Sequence, residues 1–428
     1  MEYIKYNKEI PIRYEVDVFV AGGGPAGVAA AVTAARMGSS VYLAEAGGCL
    51  GGMGTAGFVP AFSPFTDGVN WLAKGIGEEI YNRYLAYGGL KSGIKAEVLK
   101  EVYEDIMLES GVTFTYFTQL IDAVTDGGCV REAVLSSKSG TFGVKANMYV
   151  DGTGDGDLAV MAGAQYEKGD ERGRLMPGTL CSLWSDVDWS RAVPFQHKEK
   201  MQEALDANIF TVKDKHLPGM CRVGEHMAGG NLGHAFGVDG TDEVSLTQAV
   251  IEQRKRLKEY EVFYKKYIDG FENISLVSTG ALMGIRESRR IMGDYVLNLA
   301  DFEARANFED EIGRYCYQID VHAAEPEEYD TYYNDFYKYK YRPGESYGIP
   351  YRILTPKGLN NLLVAGRCVS TDRYMQGSVR VMPGCYITGQ AAGAAAHVAI
   401  GENTHIRGFD IEILKSKLSE LEHGYRKK

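Results

Sequence analysis

The chain has 428 residues, 45% hydrophobic and 24% charged, an ordinary globular composition long enough for a large core and two to three domains. A net charge of −11 repels a phosphate backbone and argues against nucleic acid as a partner, while leaving room for a small anionic substrate received by local arginines. The seven cysteines are scattered and form no CxxC, which argues against zinc ribbons, thioredoxin-type chemistry and cysteine-ligated iron–sulfur clusters.

There are 52 glycines but only 12 prolines, so the glycine surplus is neither collagen-like nor a low-complexity tract. It points to places where the backbone comes close to a ligand. The N-terminal segment lacks the basic start and apolar core of a secretory signal. The most apolar run, Val18 to Ala35, is broken by Gly22-Gly23-Gly24-Pro25. No membrane span is expected, and the cytoplasm is the expected compartment.

Val16 to Ala21 is a short β-branched run of the buried-strand type. It leads into Gly22-Gly23-Gly24-Pro25-Ala26-Gly27, which fits G-x-G-x-x-G, and then into a helix of small residues from Val28 to Met37. A second strand, Val41 to Ala44, ends at Glu45 and Ala46. In such a unit Gly22 permits the tight turn, Gly24 lets a pyrophosphate approach, and Gly27 lets the helix lie close to the sheet. The helix N-terminus attracts the phosphates. Glu45, 23 residues after Gly22, is placed to accept hydrogen bonds from ribose hydroxyls and would repel a 2′-phosphate.

Between Gly47 and Gly57 six of eleven residues are glycine, including Gly51 and Gly52 beside Met53 and Thr55. A protein that binds only NAD has no need of this stretch, whereas a flavin and its ribityl chain must lie along backbone here. Short alternating runs at Thr113–Ala123, Val130–Ser136 and Phe142–Val150, punctuated by Asp126-Gly127-Gly128 and Ser139-Gly140, predict an antiparallel meander. It feeds Asp151-Gly152-Thr153-Gly154, a turn expected to close the nucleotide pocket. The aspartates of Asp151–Asp157 lack the glutamate spacing of a calcium loop, and no metal is predicted.

From about 165 to 275 the βα rhythm disappears. A polar helix is expected around Gln248–Tyr264, and the loop Gly224–His234 carries two histidines. His226 and His234 are candidate bases, with a surface or structural role as the alternative for each. No second G-x-G-x-x-G follows a strand, so no separate NAD(P)H domain is expected. Further on, Gly284-Ile285-Arg286-Glu287-Ser288-Arg289-Arg290 reads as helical, with Arg286 and Arg290 on one face at i,i+4. They are open either to an anion or to pairing with Glu287 and Asp294. Ten of the 28 tyrosines lie between Tyr315 and Tyr351, either as amphipathic substrate walls or as loop packing. A buried strand ending at Gly366-Arg367 and a small-residue helix opened by Arg380-Val381-Met382-Pro383 complete the pattern.

Four stretches, GGGPAGVAAA, DGTGDGDLA, GIRESRRIMG and LLVAGRC with GSVRVMP, resemble the bacterial FAD-dependent oxidoreductases of the glutathione-reductase/fumarate-reductase type. The resemblance implies an α/β fold: a Rossmann-like FAD-binding domain with a parallel central sheet and antiparallel meander, plus an inserted α+β substrate domain. The expected division is 1–164 and 276–405 for the two parts of the FAD domain, the latter carrying the Tyr-rich loop 315–351. Residues 165–275 form the cap and 406–428 a C-terminal helix. The family's Cys-x4-Cys is missing, since Gly54 follows Cys49. Met53 stands where some relatives have a histidine joined to FAD, so noncovalent FAD is implied. The cofactor residues carried over are Gly22, Gly24, Pro25, Ala26, Gly27, Glu45, Ala46, Gly51, Gly52, Met53, Thr55, Thr153, Gly154, Gly366, Arg367, Met382 and Pro383. Arg367 replaces the family's usual aspartate, and the helix after Pro383 is expected to point its N-terminus at the flavin pyrimidine.

The expected reaction is hydride exchange between flavin N5 and a small polar substrate, by dehydrogenation of an alcohol, amine or sugar-like compound. His226 or His234 would serve as base, and Arg286 and Arg380 would bind the substrate. The alternatives are a C=C reductase with Arg380 as anchor or proton donor, and a non-redox protein of thiazole-synthase or structural-flavin type. The electron partner is not specified by the sequence, and a homo-oligomer is compatible with it.

Overall fold

The computed structural model describes residues 2–193, 196–217, 219–336 and 338–425. The first strand, β1 (Ile12–Ala21), is buried in its second half, where Val18, Phe19, Val20 and Ala21 are closed off from solvent. It pairs in parallel with β2 (Val41–Ala44) through the helix α1 (Pro25–Arg36), a βαβ start of the expected kind. After β3 (Thr113–Thr115) come the three strands of the meander: β4 (Thr118–Asp126), β5 (Cys129–Ser137) and β6 (Gly140–Asp151). Gly127 and Gly128 adopt positive φ at the first hairpin and Gly140 at the second, as tight turns require.

The sheet order is β3-β2-β1-β6-β5-β4, and the late strand Leu362–Val364 also joins β6. β6 takes two partners along one of its edges because it is long. Its first half, up to Lys145, pairs antiparallel with β5, whereas Tyr149–Asp151 pair in parallel with Leu362–Val364. β1 runs parallel along its other side. The chain's first and last strands therefore close around one central strand.

The helix Met382–Gly401 crosses α1 with almost no spacing between backbones. A Cβ on Gly389 or on Gly393 would strike the carbonyl oxygen of Ala26 or of Ala30. Small residues at i and i+4 on both helices make this crossing possible. These two glycines therefore serve packing, and their place in the sequence surplus is not evidence of cofactor contact.

The sheet and its helices share one large hydrophobic core, and a second cluster has buried members from Trp184 to Ile274. It packs the helix Glu243–Tyr267 against a four-stranded antiparallel sheet built from Ser275–Thr279, Ser182–Ser185, Ala228–Asn231 and Gly219–Arg222. No described helix is long and apolar enough to cross a membrane.

The segment Gly284–Gly293 corrects one expectation. It is extended, and Arg289–Ile291 pairs antiparallel with Tyr166–Lys168. The arginine spacing that reads as a helical face is satisfied instead by tertiary partners. Fully buried Glu287 takes Arg290 at 2.5 Å and Arg373 at 3.1 Å, and accepts the Met176 N–H.

Candidate functional site

A cavity of about 1090 Å3 extends from the first glycine turn to the inner face of the second cluster. That exceeds the ~300–1,000 Å3 usual for a small ligand. Its end at the first glycine turn is built by backbone. Gly22 has φ +87°, and a Cβ there would stand 2.9 Å from the Gly152 oxygen. On Gly27 a Cβ would strike the Gly22 carbonyl. On Gly24 it would meet nothing nearer than the Gly152 oxygen at 3.8 Å and would project into the cavity. A methyl group at Gly24 would therefore take ligand space, as expected for a phosphate cradle. Gly24 caps α1 without a side-chain hydrogen bond, and Pro25 occupies the first turn, so the N-terminal end of the helix dipole is free to face an anion.

Glu45 ends β2 on the cavity wall. Its carboxylate accepts the Gly23 N–H at 2.7 Å and the Gly47 N–H at 2.6 Å. Each carboxylate oxygen has a second acceptor site, so Glu45 can fix the turn and still receive a ribose hydroxyl. The second glycine run is fastened to the first by Gly51 N–H to Gly23 O, 2.8 Å. Ala46, Gly52 and Met53 line the cavity, whereas Thr55 is buried behind it and donates to Leu50 O. Gly51 adopts φ +97°, and neither Gly51 nor Cys49 lines the cavity.

The far wall comes from the last part of the chain. Gly366, Arg367, Met382 and Cys385 line it, but Pro383 does not. Pro383 lies in the uncapped first turn of its helix. Arg367 bonds Gly154 O at 2.9 Å and Ile285 O at 2.8 Å and pairs with Asp155 at 2.5 Å. It thus ties three segments together at the cavity edge. Thr153 is held by Asp151, which accepts its N–H and hydroxyl as well as the Ala159 N–H. Burial pushes the Asp151 carboxyl up to about 6. These glycines, Glu45 and the two helix starts fit an extended dinucleotide cofactor such as FAD.

The opposite end of the cavity is polar. Arg286 is buried and donates to Pro177 O and Thr179 Oγ1, both at 2.9 Å, and to Asn231 Oδ1 at 3.4 Å. Among the described residues none of these hydrogen bonds goes to a carboxylate. Burial, and then the charge of Arg380, pull its guanidinium down to about 10. Arg380 bonds Asp320 at 2.9 Å, and its buried Nε has no hydrogen-bond partner among the described residues. Facing these arginines are three histidines. His234 Nδ1 lies 3.1 Å from Asp214, His322 Nε2 lies 3.3 Å from Asp320, and His234 Nε2 is 2.9 Å from His322 Nδ1. The His216 ring stacks on His234 at 4.4 Å. Burial above all lowers the pKa of all three, that of His322 to about 3 with Arg286 adding to the effect. The imidazoles are therefore neutral at neutral pH.

Of the candidate bases, only His234 lines this cavity. The His226 side chain is 71% exposed and stands outside it, with its ring against Val187 O. Arg286 and Arg380 are brought together, although 94 residues separate them. Of the tyrosines, Tyr315, Tyr347 and Tyr351 are buried packing, while Tyr317, Tyr329 and Tyr332 line the cavity. Sequence reading missed His216, His322 and their carboxylates. A signal was present: Asp214-Lys215-His216 and Asp320-Val321-His322 repeat Asp-x-His, a spacing that puts both side chains on one face of an extended segment.

The model of a family described as FAD dependent oxidoreductase matches residues 17–418. Among curated proteins none matches the sequence. Among solved structures, the chain is similar to a geranylgeranyl bacteriochlorophyll reductase-like protein from Thermoplasma acidophilum. Identity is 12% and the TM-score 0.50, covering 97% of this chain and 84% of that one. It is also similar to a flavin-dependent brominase, with 11% identity, TM-score 0.48 and coverage of 96% and 85%. L-proline dehydrogenase from P. horikoshii gives 11% identity, TM-score 0.46 and coverage of 92% and 95%. At these identities the likeness is one of fold, carried by the first of the three.

Proposed function

Because the chain belongs to the family of FAD-dependent oxidoreductases, we propose that it oxidises a small polar substrate bearing an anionic group. Arg286 and Arg380 hold that group, and the substrate's exchangeable proton leaves on the histidine side. The observation that carries this reading is Arg286. A buried guanidinium bonded only to neutral oxygens retains most of the cost of burying its charge. A substrate carboxylate or similar anion relieves that cost by charge-assisted hydrogen bonds. Gly22, Gly24, Glu45 and the first turns of the two facing helices hold the FAD noncovalently, while Arg367 fixes the wall beside it. When bound, FAD supplies the two-electron acceptor.

The chain's own residues then position the substrate. Arg380, oriented by Asp320, supplies the second donor to the anion, and Tyr317 forms an amphipathic wall. Segment 165–275 acts as the cap that keeps water from the polar end. His234 and His322, each backed by a carboxylate, stand on the side where the substrate's proton leaves. A second reading, reduction of an activated C=C bond, is favoured by one feature: the unpartnered Nε of Arg380 can face an enoate.

The test is anaerobic. FAD-loaded protein mixed with hydroxy acids, amino acids or sugar acids should lose its visible flavin absorbance, and the neutral alcohol analogues should be much poorer. Bleaching by none of them, together with reoxidation of chemically reduced protein by an enoate, selects the second reading. Purified protein that holds no flavin and takes none up would overturn both.

A further inference from the structure

His216, His234 and His322 come from three separate loops, yet one ring nitrogen of each lies within 4.8 Å of the others. Their hydrogen-bond polarity is specific. A carboxylate only accepts, so His234 Nδ1 and His322 Nε2 must carry the hydrogens that point at Asp214 and Asp320. The opposite nitrogens, His234 Nε2 and His322 Nδ1, face each other at 2.9 Å, and each offers a lone pair when its ring carries one hydrogen. A cation held between them uses both.

A shared proton would satisfy two imidazoles only. The third, His216, has a buried Nε2 with no hydrogen-bond partner among the described residues, and its ring is packed against both others, at 4.4 Å and 4.6 Å between centroids. A metal ion uses all three. Carboxylate-backed imidazoles are the usual outer arrangement of a histidine metal site, in which the carboxylate fixes the tautomer and raises ligand basicity.

We infer that His216, His234 and His322 bind a divalent first-row transition metal of the zinc or iron(II) class, with Asp214 and Asp320 orienting two of the three ligands. Imidazole ligands select this class over magnesium or calcium. Metal–nitrogen bonds of about 2.0–2.1 Å place tetrahedral ligand atoms roughly 3.3 Å apart, so binding draws the spread nitrogens together and slightly opens the 2.9 Å pair. Three protein ligands leave a fourth position, and all three histidines line the cavity from which a ligand would reach it.

The charges around the site define what fills that position. Asp214 and Asp320 balance the ion, and Arg286 and Arg380 then make the end of the cavity positive overall. The ligand that fits brings negative charge and an oxygen donor together. On the proposed reading of the enzyme, which this step extends, that is a substrate with a hydroxyl oxygen on the metal and a carboxylate on the arginines, a 2-hydroxy acid by class.

Metal analysis and calorimetry on the FAD-loaded protein provide the test. As purified it should contain about one transition-metal ion per chain, and after chelator treatment it should bind Zn2+ with a Kd below about 1 μM. His216→Ala should weaken Zn2+ binding at least about 100-fold. Asp214→Asn should weaken it about 10- to 100-fold, and both variants should keep one FAD per chain. Zn2+ binding no tighter than about 0.1 mM in the parent, or equal binding by parent and His216→Ala, overturns the metal site. A protein that binds the metal but is bleached by no hydroxy acid leaves the site standing and overturns the substrate assignment. Normal bleaching without any metal does the reverse.

Discussion

Arg286 and Arg290 show how one residue type, four positions apart in the same segment, comes to do two different jobs. Arg290 is paired with fully buried Glu287, whereas Arg286 faces the cavity without a carboxylate. Replacing Arg290 by Met leaves Glu287 with only Arg373 to offset its charge, and half-broken buried pairs cost about 3–5 kcal/mol. Arg290→Met should therefore lower the urea midpoint and the yield of folded protein. Arg286→Met removes a buried charge whose hydrogen bonds go only to neutral oxygens, with Asp214 and Asp320 acting on it without a direct bond, so stability should change little. The KM for the anionic substrate should increase about 10- to 100-fold, the worth of one or two charged hydrogen bonds, with flavin content unchanged. If both variants lose stability equally, Arg286 is structural. Asp151 provides a pH-dependent case at the same scale. Its folded pKa of about 6 lies above the ordinary 3.8, so the folded state holds the proton more tightly. The stability this contributes is complete below pH 3.8 and is lost as pH rises through 6. Asp151→Asn removes that slope. The Tm difference between parent and variant, followed from pH 4 to 7, should therefore shift against the parent with rising pH, and a flat difference would show that the carboxyl is not held up.

At the scale of elements, the parts that were legible in the sequence were those specified locally. β1, α1 and β2 follow from a β-branched run, a glycine turn and a run of small residues, and both meander hairpins follow from their glycine punctuation. The strand Arg289–Ile291 was not legible, because its arginines are satisfied by Glu287, Glu167 and Asp157 across the fold. An i,i+4 spacing looks the same whether the charges pair along a helix or through space. His216 and His322 were missed for a related reason, since loops 106 residues apart meet only after both clusters have folded. Glycine misled in the opposite direction. Gly389 and Gly393 sit in a helix that lies against α1, and a side chain at either must force the two helices apart. Valine at either position should destabilise by about 1–3 kcal/mol. Gly389→Val should also reduce FAD retention, because Ala26, which it would push, lines the cavity beside the first glycine turn. Gly401, at the end of the same helix, has open space around it, and Gly401→Ala should be neutral or stabilise by about 0.5–1 kcal/mol. Urea denaturation of the three variants separates packing glycines from incidental ones, and equal effects would refute the distinction.

For the whole molecule the decisive feature is that one cavity is walled by segments from the start, middle and end of the chain. The first glycine turn, Glu45 with Met53, the Thr153 turn, Gly366-Arg367 and the start of the helix Met382–Gly401 all face it. A ligand that binds the folded state stabilises it by mass action, about 2.7 kcal/mol at a hundredfold excess over Kd. Where that stabilisation appears depends on which segments the ligand joins. Hydrogen exchange measured on flavin-free protein with and without added FAD should therefore slow at all five segments together, because β6 pairs with strands from both ends of the chain, β1 and Leu362–Val364. The C-terminal helix Ile411–Tyr425, which does not line the cavity, should change least. ADP should protect the first glycine turn and Glu45 but leave Met382–Cys385 unprotected, because it lacks the flavin half that must bridge to the late helix. Protection by FAD confined to the N-terminal segments would mean that the late helix is not a wall of the cofactor site, and the cavity would then have to be divided between two ligands.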